Sequence, residues 1–194
     1  MRLAETLHDF EFAHHRRGQV LASSRELSPT FIRNPIQMAA DSNLSFRAAR
    51  CEDAETVFNI TKASISGLAG ASYSRNQIEN WMGERTAAFY GELITRGRMI
   101  VCERDGIVVG FVDAEPGEVT RLFILPDAAG LGLGRRLLEI GIEQARLGYS
   151  GPITLEATIN AEGFYRKHGF RSLRRGHFSH GLGGEPIEIV HMEL

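Results

Sequence analysis

The stretch "LFILPDAAGLGLGRRLL", residues 122–138, holds three glycines at alternate positions between an apolar run and leucines at helical spacing. This pattern predicts a strand, a glycine loop and a helix in succession. Because Gly130, Gly132 and Gly134 carry no side chains, a ligand can approach their backbone N–H groups, and the helix start adds partial positive charge. The loop is therefore a candidate anion site, although glycines between a strand and a helix also form simple turns.

Spacing excludes two familiar phosphate loops. A P-loop has Lys and then Ser or Thr directly after its last glycine, whereas Gly134 is followed by Arg135. A dinucleotide-binding loop has glycines at relative positions 1, 3 and 6. The sixth position here is Arg135 counted from Gly130, or Leu137 counted from Gly132. An acyl-carrying cofactor, the third ligand class that suits such a loop, remains.

Composition bounds the rest of the chain. The 194 residues are 43% hydrophobic and 24% charged, with a formal net charge of -2. These values suit one globular domain and predict no global attraction to nucleic acid or to an anionic membrane. Apolar runs such as 107–112 are too short to span a bilayer. Cys51 and Cys102 lack metal-ligand spacing, and residues 1–17 lack a leader pattern, so we expect free thiols, no metal and a cytoplasmic protein.

The order of predicted elements indicates the fold class. Residues 1–43 show no sustained period and are predicted to be an N-terminal extension, so the organised domain covers residues 44–194. The predicted elements are a strand at 44–50, helices at 52–67, 74–83 and 86–97, strands at 98–104, 107–115 and 118–125, a helix ending near 147, a strand at 152–158, a short helix at 161–169 and a final strand pair. This order predicts an α+β fold, an α/β sandwich whose mixed, mostly antiparallel central sheet is flanked by helices.

Two local signals support these assignments. Asp105-Gly106 lies between two apolar runs and predicts a β-hairpin. Ser74 followed by Gln77 predicts a helix start with a capping box.

The residues around the glycine loop resemble the cofactor motif of the GNAT superfamily of N-acetyltransferases. In that family a strand of pattern Leu-x-Val-x-Pro precedes a loop Arg/Gln-x-x-Gly-x-Gly/Ala and a helix. The matching residues are Leu122, Ile124, Pro126, Gly132 and Gly134. Ala129 stands where the family has Arg or Gln, which removes one side-chain interaction but leaves the backbone amides.

A second segment, "LEATINAEGFYRKHGF" at residues 155–170, is similar to the family's Asn-Ala-x-x-Phe-Tyr-x-x-x-Gly-Phe pattern. The matching residues are Asn160, Ala161, Phe164, Tyr165, Gly169 and Phe170. The two motifs follow each other in the family's order and spacing, and the resemblance covers residues 44–194.

The resemblance implies an acetyl-CoA-dependent N-acetyltransferase acting on a primary amine by direct attack within a ternary complex. It also implies splayed strands that hold the pantetheine arm, with a backbone N–H near Ile124 stabilising the thioester carbonyl. The residues it assigns to the cofactor are Phe123, Ile124, Leu125, Ala129, Gly130, Leu131, Gly132, Leu133, Gly134, Arg135, Arg136, Asn160 and Lys167. For the three basic residues the alternative is a solvated helix face, and for Asn160 it is a helix cap at Ala161.

Tyr165 occupies the family's general-acid position. A phenol with an ordinary pKa of about 10 stays protonated at neutral pH and can donate to the departing thiolate, although a packed tyrosine is the alternative. Glu118 is the candidate base, because even spacing puts it on one strand face with Leu122 and Ile124 unless a bulge intervenes. A solvated strand-end carboxylate, with a water chain as the base, is the alternative.

Acceptor specificity in the family comes from the first helices and the last strands. The candidate acceptor residues are Tyr73, Trp81, His177 and His180. Packing in the core is the alternative for Trp81, and a surface or core role is the alternative for the two histidines. "SYSRNQIENW", residues 72–81, resembles one small bacterial subgroup of the family. The acceptor stays open among antibiotic, polyamine, amino acid and protein N-terminus, and so does a homodimer, which is frequent in the family. A catalytically silent acyl-CoA-binding module is the alternative function.

Overall fold

The computed structural model describes residues 44–178 and 185–194, so the predicted N-terminal extension lies outside the described residues. Within these ranges the strands are β1 (Leu44–Ala48), β2 (Ile100–Arg104), β3 (Ile107–Glu115), β4 (Glu118–Ile124), β5 (Thr154–Thr158), β6 (Arg171–Phe178) and β7 (Ile187–Glu193). The α-helices are α1 (Ala54–Leu68), α2 (Arg75–Asn80), α3 (Ala87–Thr95), α4 (Leu133–Arg146) and α5 (Glu162–Lys167).

The strands form one sheet in the order β1-β2-β3-β4-β5-β7-β6. Neighbouring strands are antiparallel except β4 and β5, which are parallel. The prediction of a mixed, mostly antiparallel sheet flanked by helices is confirmed. The predicted hairpin is also confirmed, because Asp105 and Gly106 have φ of 55° and 78°, the left-handed values that a tight two-residue turn requires.

Helices cover both faces of the sheet. Since successive strand residues point to opposite faces, the neighbours Phe111 and Val112 of β3 belong to different buried clusters. Val112 shares its cluster with Leu137 of α4 and Tyr165 of α5. Phe111 shares the other with Tyr90 of α3. The sheet therefore separates an α4/α5 layer from an α1/α2/α3 layer, and a gap in it would join the two.

The predicted end of α1 at Gly67 is wrong by one residue, because the helix continues to Leu68. A Cβ at Gly67 would lie 2.6 Å from the Pro126 side chain. Glycine is therefore needed there for close packing of α1 on the segment after β4, and it does not end the helix.

The predicted capping box of α2 is confirmed. Ser74 Oγ accepts from the N–H of Gln77, whose side chain accepts in turn from the N–H of Ser74. The helix ends at Asn80, before the predicted stop at Gly83. Trp81 consequently follows α2 directly instead of lying on its face.

The Tyr73 hydroxyl is built into the sheet. The last β5–β7 pair is Thr158 with Ile189. One residue beyond this pair, the Tyr73 hydroxyl accepts from the N–H of Ile159 at 2.8 Å. It also donates to the C=O of Glu188 at 2.7 Å. Tyr73 thereby replaces a direct contact between the two strands, and its assignment to the acceptor stays a prediction.

We expect Tyr73→Phe to lower the free energy of unfolding by about 1–3 kcal/mol, because two backbone groups lose their partner. Urea unfolding followed by circular dichroism measures this change. Tyr149→Phe, at a side chain that is 40% exposed, is the matched control and should leave stability unchanged. Equal stability of the two variants would mean that the β5–β7 end does not depend on the hydroxyl.

Candidate active site

Strands β4 and β5 pair at one position, Glu118 with Thr154, and then diverge as expected for splayed strands. Directly after β4, the N–H of Leu125 bonds to the C=O of Val109 in β3 at 2.9 Å. Because backbone groups alternate in direction along a strand, the N–H of Ile124 points away from β3 and toward the gap. The gap therefore presents strand backbone to which an extended ligand can pair.

A cavity of about 420 Å³ passes through the sheet at this gap. Gly134, Phe164 and Tyr165 line it on the α4/α5 side, while Ile65 and Trp81 line it on the α1/α2 side. Two ligands that enter from opposite faces of the sheet can therefore meet between β4 and β5.

The glycine loop leaves open space over its backbone. Gly130 and Gly132 have φ of 80° and 81°, and a Cβ at either position would have no heavy atom within 4 Å. Helix α4 begins at Leu133, with Gly132 as its N-cap. Gly134 therefore lies inside the first turn and not ahead of the helix as predicted, and a Cβ there would stand 3.5 Å from the Phe164 ring. Open space, positive φ and first-turn N–H groups together suit an anion.

Side chains of the loop differ in what they can offer a ligand. The Leu131 side chain is 62% exposed. The Leu133 side chain is buried in the α4 cluster, so only the backbone of Leu133 can face a ligand. Ala129, at the position where the family has Arg or Gln, offers no polar side chain.

Arg135 and Arg136, the basic residues at the start of α4, have contacts within the fold. Arg135 Nε donates to Glu139 at 2.9 Å, and the Arg136 guanidinium lies 4.8 Å from the centroid of the Phe46 ring. Lys167 is exposed at the end of α5. The assignment of these three cations to cofactor phosphates stays a prediction.

Tyr165 brings a buried hydroxyl to the cavity. The residue is 9% exposed, and its ring packs edge-on against Phe164 and Phe170 at centroid distances of 5.1 and 5.9 Å. Burial raises the pKa of Tyr165 to about 12. In the described part of the chain no group hydrogen-bonds to its hydroxyl, although buried hydroxyls usually have a partner. The arrangement leaves a protonated donor available to a ligand atom.

The prediction that Glu118 shares a face with Leu122 and Ile124 is wrong. The β3–β4 pairing skips Thr120, which forms a β-bulge and shifts the alternation by one residue. Val119 consequently joins Leu122 and Ile124 in the α4 cluster. Glu118 lies on the opposite face, toward the α1/α2/α3 layer.

Glu118 lies where β4 and β5 still pair, at the closed end of the gap. A second carboxylate, that of Glu156, lies near it. Burial, and then the nearby Glu156 carboxylate, raise the pKa of Glu118 above the ordinary carboxyl range. Among the described residues, Glu156 lines the cavity and Glu118 does not. His191 Nδ1 lies 3.4 Å from Glu156. The pair of Glu156 and His191 was not identified from the sequence. The sequence signal that could have indicated it is the carboxylate of Glu156 between the apolar strand residues Leu155 and Ala157.

Asn160 lines the cavity but does not cap α5. The N-cap residue is Ala161, so the capping alternative for Asn160 is wrong. Its Nδ2 instead donates to the C=O of Leu68 at 3.2 Å, which ties the end of β5 to the end of α1.

The remaining acceptor candidates are placed differently. Trp81 is 6% exposed, lines the cavity and stacks edge-on against Tyr73 at 4.9 Å. His177 is exposed on β6 and is not among the cavity-lining residues of the described ranges, while His180 lies outside those ranges.

Within the described ranges, no three His, Cys, Asp or Glu side chains come together as a metal site. None of the helices described there combines the length and the apolar character that a membrane-spanning helix requires.

A family model described as an acetyltransferase (GNAT) domain matches residues 70–193, which include the glycine loop and the Tyr165 segment. The chain belongs to the GNAT acetyltransferase family. The resemblance identified in the two sequence motifs is thereby confirmed.

Relatives of this GNAT chain include an IAA acetyltransferase from Azospirillum brasilense, 37% identical over 101 residues. That match covers 47% of this chain and 64% of the relative, less than two thirds of its length. A solved GCN5-related N-acetyltransferase from Rhodopseudomonas palustris is 25% identical, with a TM-score of 0.72 over 78% of this chain and 94% of that one. The fold is also shared with the PaiA N-acetyltransferase of Thermoplasma acidophilum, solved in complex with coenzyme A, at 22% identity and a TM-score of 0.61 over 77% of this chain and 97% of that one.

Proposed function

We propose that this protein transfers an acetyl group from acetyl-CoA to a primary amine by direct attack within a ternary complex, in the cytoplasm. The observation that carries the proposal is the cavity through the β4–β5 gap. It has the glycine loop and Tyr165 on one side of the sheet, and α1 and Trp81 on the other. Membership of the GNAT family supports the same chemistry.

The loop residues fit a CoA pyrophosphate. Gly130 and Gly132 hold open the space over the backbone, where the first-turn N–H groups of α4 would donate to a bound pyrophosphate. The β4 backbone at Ile124 would pair with the pantetheine arm like an added strand. Bound acetyl-CoA would supply a thioester carbonyl that is activated toward amines.

Three groups of the chain handle charge and protons. The N–H of Ile124 donates to the carbonyl oxygen as negative charge develops, a contribution of about 3 kcal/mol. Tyr165, kept protonated by its raised pKa, donates its proton to the leaving sulfur. Glu118 takes a proton from the acceptor ammonium through water, because Glu118 is not among the described residues that line the cavity. The neutral amine then forms the C–N bond as the C–S bond breaks, and the second proton lost by the nitrogen returns through water to the Tyr165 phenolate. The raised pKa of Glu118 makes it a stronger base than an ordinary carboxylate.

Thermal melting and thiol counting test the proposal. Acetyl-CoA should raise the melting temperature, and free thiol should appear only when an amine is added. A melting shift with no thiol release from any amine would indicate a silent acyl-CoA-binding module. No shift at millimolar acetyl-CoA would contradict the cofactor assignment itself.

We expect Gly132→Leu to weaken acetyl-CoA binding about tenfold, a loss of about 1.4 kcal/mol, because leucine resists positive φ and its side chain fills the open space over the loop. Isothermal titration calorimetry measures the affinity. Gly97→Leu is the matched control, since Gly97 has a φ of 73°, no heavy atom within 4 Å of a Cβ, and a position before β2 at the other end of the sheet. Equal affinities of the two variants would contradict the loop's role.

A further inference from the structure

Arg85 and Arg121 share one aromatic ring on the α3 side of the sheet. Each guanidinium lies 5.7 Å from the centroid of the Phe89 ring. Arg121 lines the cavity, and Arg85 also lies 5.5 Å from the centroid of the Phe178 ring. Arg121 therefore stands at the wall of the cavity, and Arg85, which is not among the cavity-lining residues of the described ranges, lies near the same Phe89 ring.

Among the described residues, Arg121 has a carboxylate partner and Arg85 does not. Arg121 Nη1 lies 3.0 Å from Oδ2 of Asp113, whose side chain is buried. In the described ranges Arg85 has no carboxylate within salt-bridge distance, and its hydrogen-bonding side chain there is Tyr90. Burial, and more weakly the charge of Arg121, lower the pKa of Arg85. A half-buried guanidinium without a counter-ion is costly, and its five N–H donors exceed what one phenol can accept.

We propose that Arg85 binds a carboxylate of the acceptor, so that the substrate is an amine that also carries a carboxylate group. This inference rests on the proposed acetyl transfer. A planar guanidinium binds carboxylates through two parallel hydrogen bonds, which fixes the orientation of the bound molecule. Arg121 adds positive potential but already holds Asp113.

The residues between Arg85 and the gap indicate what the rest of the acceptor molecule is like. Its amine must reach the gap at Ile124, while its carboxylate lies at Arg85. Phe123 lines the cavity, and both Phe123 and Phe89 pack on the same buried cluster of the α3 face. The body that joins amine and carboxylate is therefore apolar, long enough to hold the two charged groups apart, and packed on these rings.

Two probes that differ in one group test the site: 4-(aminomethyl)benzoate and 4-(aminomethyl)benzamide. Calorimetric titration into the full chain saturated with CoA measures their binding without requiring turnover. The wild-type protein should bind the benzoate roughly tenfold to a hundredfold more tightly, the usual effect of a charged hydrogen bond. Arg85→Gln should remove this preference by weakening benzoate binding much more than benzamide binding. Arg75→Gln is the control, because Arg75 is exposed on α2 and pairs with Glu79.

Equal binding of the two probes by the wild-type protein, or no binding of either, would overturn the carboxylate site, and so would a preference that survives Arg85→Gln. The comparison of the two probes on the wild-type protein tests the carboxylate site even if Arg85→Gln folds poorly. Thiol release separates this inference from the proposed function. Acetylation of both probes without a carboxylate preference contradicts the carboxylate site alone, whereas a binding preference without thiol release contradicts acetyl transfer alone.

Discussion

Tyr165→Phe should lower kcat by roughly 100- to 10,000-fold, the usual contribution of a positioned general acid, and should leave the affinity for acetyl-CoA unchanged. The substitution removes one oxygen atom and keeps the ring that packs against Phe164 and Phe170. The leaving sulfur then lacks its proton donor. Steady-state thiol release measures kcat, and calorimetric titration measures the affinity.

Stability provides the control for this variant. The Tyr165 hydroxyl has no hydrogen-bond partner among residues 44–178 and 185–194, so its removal should not lower the melting temperature. Tyr149→Phe, at an exposed side chain, should change neither kcat nor stability. An unchanged kcat in Tyr165→Phe would remove Tyr165 from the mechanism.

Glu118→Gln should lower kcat/KM by roughly 100-fold or more, because the acceptor ammonium loses its base. A base acts only when deprotonated, so wild-type kcat/KM falls as pH drops through the pKa of Glu118. That pKa is raised above the ordinary value of about 4.3 by burial and by Glu156. Glutamine does not titrate, so this acidic limb should disappear from the pH profile. A limb that persists in Glu118→Gln would assign the base to another group, such as a water chain.

Glu156 supplies a second readout of the same base. Glu156→Gln removes a carboxylate that raises the pKa of Glu118. The pKa should fall, so the acidic limb of kcat/KM should move to lower pH. Glu143→Gln, on the exposed side of α4, is the matched control and should leave the limb in place. A limb that does not move in Glu156→Gln would contradict coupling between the two carboxylates.

Features set by local backbone rules could be predicted from the sequence. The glycine loop depends on residues with positive φ next to a helix start, the hairpin on Asp105-Gly106, and the α2 start on Ser74 and Gln77. Each is decided within a few neighbouring residues. The order of elements followed from their hydrophobic periods, and the mixed sheet followed from that order.

Features set by the register between strands could not be predicted. The bulge at Thr120 reverses which face Glu118 occupies, yet it depends on how β4 pairs with β3. Glu156 and His191 come together only because β7 inserts beside β5. The partners of Arg85 likewise come from different elements, and the lack of a counter-ion for it within residues 44–178 and 185–194 becomes evident only when all of these elements are placed.

Initial rates over a grid of acetyl-CoA and amine concentrations test direct attack in the through-sheet cavity most directly. Because both ligands must occupy the cavity together, the double-reciprocal lines should intersect, with one thiol released for each amine acetylated. Parallel lines, or thiol released before any amine is added, would mean that the enzyme itself is acetylated and would contradict the account.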